Sequence, residues 1–222
     1  MPELSILNPR EKCYRCYRPQ VSCMCQYINT VETKTKFVIL MHPKEFKKTK
    51  NGSGRLTHLA LPNSELFIGL DFSYHDKINE LIENPLNSCY VLYPSSDSLV
   101  LNSLEKSYHD KKNLVIFLID STWACSKKIL RLSKNLHSLP YMSFYHDRCS
   151  EFKIKEQPAE YCLSTMESTH VVLELLSKNG YETLKDEALK SFLNPFHKMI
   201  DFQLDKLSDT SDTPRFKVSN NS

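Results

Sequence analysis

Apolar residues in this chain gather into short unbroken runs separated by polar stretches. The runs are KFVILM (36–41), ELFIGL (65–70), CYVLYPS (89–95), NLVIFLID (113–120) and YMSFY (141–145). Runs rich in β-branched and large residues, without strict polar alternation, read as strands buried on both faces of a parallel sheet. Between and after them the period changes to that of a helix. A short helix is predicted over 55–61, closed by Pro62, and a polar one over 75–83. The stretch 123–139 turns Ile129, Leu130, Leu132, Leu136 and Leu139 inward and Lys127, Lys128, Arg131 and Lys134 outward. The helix over 165–178 carries an apolar stripe of Val171, Val172, Leu175 and Leu176. A last one over 182–207 is interrupted at Pro195 and buries Leu189, Phe192, Phe196, Ile200 and Leu204. Residues 96–108 read as mixed helix or loop. Strands alternating with helices in this way predict an α/β domain with a parallel sheet.

The most apolar strand, 113–120, ends in Asp120 and is followed by Ser121, Thr122 and Trp123. In open α/β sheets, ligands sit in the crevice outside the strand carboxyl ends, which places all four there. The plainer reading makes Asp120 or Ser121 an N-cap and the lone tryptophan a core residue. The 42–55 segment is long for such a connection and carries His42, Glu45, Lys44, Lys47, Lys48, Lys50 and Arg55. Its lysines read as a solvated edge. Gly52 and Gly54 before Arg55 read as a helix start that receives an anion. Further on, Ser164 and Glu167 form S-x-x-E, a capping box on its own terms.

Composition narrows the classes. With 222 residues the chain suits one full domain with a small appendage. A net charge of +3 is only weakly basic, so any nucleic-acid surface has to be local. No apolar run is long enough to span a bilayer and no signal peptide is read, so a cytoplasmic protein is expected. Only four glycines occur and none makes G-x-G-x-x-G, which argues against a Rossmann-type nucleotide loop. The tail 208–222 is Ser-, Asp-, Thr- and Asn-rich and reads as disordered.

Eight cysteines without a secretory signal point to metal or free thiols rather than disulfides. Cys13, Cys16, Cys23 and Cys25 fall in C-Y-R-C-Y-R-P-Q-V-S-C-M-C, a density that closes a tetrahedral zinc shell in a segment too short for its own core. The spacing is not that of ferredoxins. The predicted organisation is a zinc knuckle over 10–30, an α/β domain over 35–207 and the tail. Lys12, Arg15 and Arg18 alternate with Tyr14 and Tyr17, the mixture that single-stranded RNA binds, or simply the knuckle's solvated face.

The ordered set C-Y-R-C-Y-R-P with C-M-C, H-P-K-E with N-G-S-G-R-L, L-Y-P-S, D-S-T-W, and K-E-Q-P with L-S-T-M-E resembles the DTW-domain family of tRNA-uridine aminocarboxypropyltransferases. It spans Cys13 to about Leu176. Two departures stand out. Asn51-Gly52-Ser53-Gly54 replaces the family's usual N-T-G, and Lys155-Glu156 replaces a basic pair before Q-P. The resemblance implies a SPOUT-like α/β fold with a knot toward the C-terminal half. It also implies transfer of the 3-amino-3-carboxypropyl group of S-adenosylmethionine to N3 of a tRNA uridine. On that reading Asp120, Thr122 and Trp123 are the catalytic candidates, with Asp120 as base, as the carboxylate that orients the uridine, or as a hydrogen-bond partner of the cofactor. Tyr93, Pro94, Ser95, Trp123, Leu163, Ser164 and Thr165 would line the cofactor pocket. Arg55, behind His42, Glu45 and Asn51, would hold the cofactor carboxylate or the tRNA backbone. The zinc would be structural, and the partners tRNA and S-adenosylmethionine, with neither membrane nor DNA. Two rival readings are a SPOUT-type RNA methyltransferase and a non-catalytic zinc-knuckle RNA-binding protein. The oligomeric state is not set by the sequence.

Overall fold

The computed structural model describes residues 11–47, 52–104, 112–152 and 162–208. Lys48, Lys50, Asn51, the K-E-Q-P segment and the tail from residue 209 lie outside the described residues, as does the first stretch up to residue 10.

Six parallel strands form one sheet in the order β2-β1-β5-β3-β6-β4. They are β1 (Lys36–Met41), β2 (Ser64–Ile68), β3 (Asn87–Leu92), β4 (Leu99–Val100), β5 (Asn113–Asp120) and β6 (Tyr141–Ser143). The helices are α1 (Pro43–Lys47), α2 (Gly54–Ala60), α3 (Asp76–Glu83), α4 (Trp123–Leu132), α5 (Thr165–Lys178), α6 (Asp186–Phe192) and α7 (Asn194–Ser208). Alternate residues of the two central strands feed two cores. Phe37, Ile39, Ile116 and Leu118 face α2, α5, α6 and α7 through Leu56, Met166, Leu173 and Phe196. Val38, Leu40, Val115 and Phe117 face α3 and α4 through Ile78 and Ile129. All eight strand residues are at most 2% exposed, which is why neither strand shows polar alternation.

Several predicted boundaries shift. The expected helix over 123–139 stops at Leu132, where Ser133 turns inward and its hydroxyl accepts from the Phe72 amide. A separate 3-10 turn, Lys134–Leu136, carries Leu136 into the core. The expected mixed segment 96–108 contains β4, too short to announce itself by pattern. The expected loop 42–55 begins with α1, whose Pro43 sits where a helix loses nothing by lacking an N–H. The last helix breaks at Leu193, ahead of Pro195, which falls in the first turn of α7 for the same reason. Glu182 precedes these helices. Its carboxylate accepts from the Lys34 and Thr35 amides at 3.0 and 2.7 Å, fastening the entry to β1. The path joining β6 to α5 includes residues 153–161, outside the described set, so the expected knot has no structural account here.

The connection leaving β1 runs to β2 over one face, and the connection leaving β5 runs through α4 to β6 over the other. β1 and β5 are neighbours, with Met41 opposite Asp120. Chains departing a shared point in opposite directions open a crevice there, and Asp120 stands at its edge.

Candidate active site

A cavity of about 360 Å³ opens at the carboxyl ends of β5, β3 and β6. Of the sequence-predicted residues, Asp120, Thr122, Trp123, Tyr93, Pro94, Leu163, Ser164 and Thr165 line it, together with Glu45. Ser95 does not: it is exposed in a turn where its carbonyl accepts from the Ser98 amide and hydroxyl. Arg55 is also absent from the cavity wall.

Asp120 is 6% exposed and ends β5. Its Oδ1 accepts from the Thr165 hydroxyl at 2.6 Å, and its backbone carbonyl accepts from the His42 amide. It is not an N-cap. The residue in that position is Thr122, with extended backbone at φ −69° and ψ 157°. The carboxylate packs instead against the start of α2. A Cβ on Gly54 would stand 2.4 Å from Asp120 Cγ and 2.5 and 2.7 Å from its oxygens. Glycine at 54 is therefore what lets this carboxylate approach the α2 backbone. The anion met by this glycine segment is the chain's own.

Trp123 opens α4, 39% exposed, with its ring tilted against Tyr93 at 5.9 Å. Tyr93 in turn meets Tyr141 at 5.9 Å. The single tryptophan thus belongs to the cavity rather than the core. On the opposite wall, Ser164 and Glu167 complete the capping box of α5: the Ser164 hydroxyl accepts from the Glu167 amide, and the Glu167 carboxylate from the Ser164 amide. The same carboxylate accepts from the Glu151 amide at 2.7 Å and from the Ser150 hydroxyl. One cap therefore fixes both Leu163–Thr165 and the segment leading to Phe152 on the cavity wall.

Phe144, His146, Phe152, Cys162 and Ser168 also line the cavity, and the first four had no sequence signal as site residues. Ser168 alone was reachable, lying one helical turn after Ser164.

The four knuckle cysteines bring all their Sγ atoms within 4.8 Å of one another. Cys13 and Cys25 are 3.6 Å apart, and Cys16 and Cys23 3.7 Å. Zinc–thiolate bonds of about 2.3 Å in a regular tetrahedron set sulfur–sulfur edges of about 3.8 Å, so the donor set and its spacing fit zinc. Burial opposes ionisation of Cys13, but the Cys16 and Arg15 amides and neighbouring thiols outweigh it and bring it down to about 7. Burial pushes Cys23 and Cys25 up. The charge of Cys16 adds to that rise, and a divalent cation offsets both the burial cost and the repulsion between adjacent thiolates.

The knuckle's cations divide. Lys12 and Arg15 are exposed, as is the Tyr14 ring between them, whereas Arg18, expected among RNA-binding residues, is 2% exposed. Its Nη2 donates to the Gly52 carbonyl at 2.8 Å and lies 3.1 Å from Met199 Sδ. Buried there, it has no path to a phosphate. Arg55 is stacked between two rings, 4.3 Å from the centroid of Tyr17 and 4.8 Å from that of Phe46. Burial lowers its basicity, and the charge of Asp120 acts against that shift.

Comparison with known proteins agrees with this arrangement of motifs. Relatives include "tRNA-uridine aminocarboxypropyltransferase 2" of Drosophila melanogaster, 28% identical over 221 residues, 96% of this chain and 83% of that protein. The protein of the same name from Mus musculus is 30% identical over 203 residues, 88% of this chain and 64% of that protein. That of Macaca fascicularis is 26% identical over the same shares. The chain thus spans just under two thirds of the two mammalian relatives. No solved structure matches it. The DTW domain matches residues 10–204, knuckle and sheet together, and the chain belongs to the DTW-domain family.

Proposed function

We propose that this chain transfers the 3-amino-3-carboxypropyl group of S-adenosylmethionine to N3 of a uridine in tRNA. The observation that carries the reading is the cavity at the β1/β5 switch point, with a fixed carboxylate and two aromatic rings on its wall, in a chain of this family. Its volume suits a small-molecule site, commonly about 300–1,000 Å³. Tyr93 and Trp123 offer ring faces that attract a cation such as a sulfonium. The hydroxyls of Thr122, Ser164 and Thr165 supply polar groups for the donor's amino and hydroxyl functions. The donor supplies an electrophilic γ-carbon: the N3–carbon bond forms as the carbon–sulfur bond breaks, its electron pair leaving on sulfur.

Asp120 takes the proton from uridine N3. Thr165 and the Gly54 backbone hold that carboxylate in one orientation, so the base is positioned before the substrate arrives. Choosing the γ-carbon over the methyl is a matter of how the cavity wall orients the donor. Zinc held by Cys13, Cys16, Cys23 and Cys25 would have four thiolate ligands and no open position, so its part would be structural. The SPOUT-like knot belongs to this reading through the family resemblance, and a cytoplasmic location through the sequence, in which neither a signal peptide nor a membrane-spanning run is read. Among the described residues, no helix is long and apolar enough to cross a membrane.

For tRNA, the favoured surface is α4. It starts at the cavity with Trp123, contains no acidic residue, and exposes Lys127, Lys128 and Arg131. Lys127 and Arg131 are one helical turn, about 6 Å, apart. Lys47 on α1 is exposed as well.

Mass spectrometry of tRNA nucleosides from cells with and without the gene tests the proposal. A uridine carrying the aminocarboxypropyl group in the first and lacking it in the second is expected. Identical profiles overturn it.

A further inference from the structure

The knuckle's turn is built against the cavity wall rather than standing apart from it. Cys13 and Cys16 bracket the turn: the Cys13 amide donates to the Arg18 carbonyl at 2.8 Å, and the Tyr17 amide donates to the Cys13 carbonyl at 2.7 Å. Tyr17 has φ 59°, a left-handed conformation that residues other than glycine, asparagine, aspartate and histidine seldom adopt. That turn sends consecutive side chains to one place. The Tyr17 ring covers the Arg55 guanidinium, and the Arg18 guanidinium holds the Gly52 carbonyl. Gly52 and Ser53 line the cavity, and Gly54 abuts the Asp120 carboxylate. From the metal cysteines to Asp120 the connection is therefore continuous: cysteine turn, Tyr17 and Arg18, segment 52–55, carboxylate. Phe46 of α1 closes the far side of Arg55. Arg18 also reaches Met199 on α7, so the knuckle bridges the C-terminal helix and the active-site wall.

We propose that Tyr17 and Arg18 are positioning residues for the transfer: the zinc knuckle sets the placement of segment 52–55 and, through Gly54, of Asp120. This rests on the transferase reading above for its kinetic consequence, though not for its structural one. It gives the knuckle a part in catalysis with no contact to the RNA. The competing assignment, in which the Tyr17 ring stacks on a tRNA base, requires the face that Arg55 already covers or the 45% of the residue left exposed.

The test is Tyr17→Asn, which keeps a residue tolerant of positive φ and removes the ring. Arg18→Met is the companion, with Arg18→Lys restoring a donor. Zinc content is measured on each variant. In Tyr17→Asn we expect one zinc per chain, a tRNA dissociation constant within twofold of the parent, and kcat reduced about 10–100-fold, the scale of an ångström-level misplacement. Hydrogen exchange in a peptide spanning 52–57 is expected to quicken in both Tyr17→Asn and Arg18→Met, with partial rescue of rate and exchange in Arg18→Lys. Unchanged kcat in Tyr17→Asn overturns the proposal. So does a tenfold weaker tRNA affinity with kcat retained, which assigns Tyr17 to RNA contact. If the parent protein transfers nothing, the transferase reading fails alone, and the exchange data decide the structural link: unchanged exchange over 52–57 overturns it.

Discussion

Gly54→Ala isolates the contact on which the placement of Asp120 depends. The added Cβ would lie 2.4 Å from Asp120 Cγ, where ordinary contact begins near 3.4 Å. One of the two must move by about 1 Å. Gly54 belongs to α2, held by the Thr57 amide donating to the Ser53 carbonyl and by Leu56 in the core, so the carboxylate is the easier to displace. Displacing it stretches the 2.6 Å bond from Thr165. The stability change is bounded: overpacking costs about 1–3 kcal/mol, and alanine for glycine in a helix returns at most about 1 kcal/mol, less at the first position of α2, so the loss is at most about 3 kcal/mol. The rate change is not small. A misplacement of about 1 Å costs on the order of 10²-fold in a reaction that depends on orientation. Single-turnover transfer to tRNA and thermal melting, measured on the same preparation, separate the two effects. A variant that melts within about 10 °C of the parent and transfers about 10²-fold more slowly fits. A variant that folds normally and transfers at a rate within threefold of the parent refutes the argument that this contact places the base.

Asp120→Asn keeps an oxygen for Thr165 but accepts no proton. It should still bind S-adenosylmethionine, read by the fluorescence of the single Trp123 on the cavity wall, and lose about 10²–10⁴-fold in transfer rate. A near-normal rate moves the base to Glu45 or to a bound water. Elemental analysis should find one zinc per chain, and Cys13→Ser with Cys16→Ser should abolish it. Reversing the charge of Lys127, Lys128 and Arg131 together should lower the slope of log affinity for tRNA against log salt by about 2, if these are three phosphate contacts on single-stranded RNA. His170 is held neutral by burial, against the opposing pull of Glu174, with its Nε2 3.0 Å from the Leu189 carbonyl. Its proton affinity is lowered on folding, so its contribution is fully present above the unfolded value near 6.5 and is lost as pH falls through the depressed folded value. Urea titrations from pH 7.5 to 5 should show the parent losing more stability than His170→Gln; equal losses would contradict this.

The parallel sheet was legible because β1 and β5 are buried on both faces and keep polar residues only at their ends, a pattern that survives without any knowledge of neighbours. The α5 boundaries were legible too, since its capping box is a local device written in consecutive residues. Strand order was not, because it depends on which faces the crossovers choose. β4 was missed because two residues carry no period. The cavity wall was half readable: Asp120, Trp123 and Tyr93 follow strands at their carboxyl ends, where the fold puts ligands. What escaped was every feature made by distant pairing. Nothing local says that Thr165 hydroxyl meets Asp120, that Gly54 exists for the same carboxylate, or that Arg18 is buried. Arginine beside tyrosine in an exposed knuckle reads as an RNA contact; only the packing against Gly52 and Met199 shows otherwise.

The most direct measurement of the central claim uses the purified chain, tRNA and S-adenosylmethionine labelled either in its carboxyl carbon or in its methyl carbon. The account predicts carboxyl label in the tRNA, at uridine, with none from the methyl group, and loss of that incorporation in Asp120→Asn. Methyl label in the RNA without carboxyl label would contradict it and make the chain a methyltransferase.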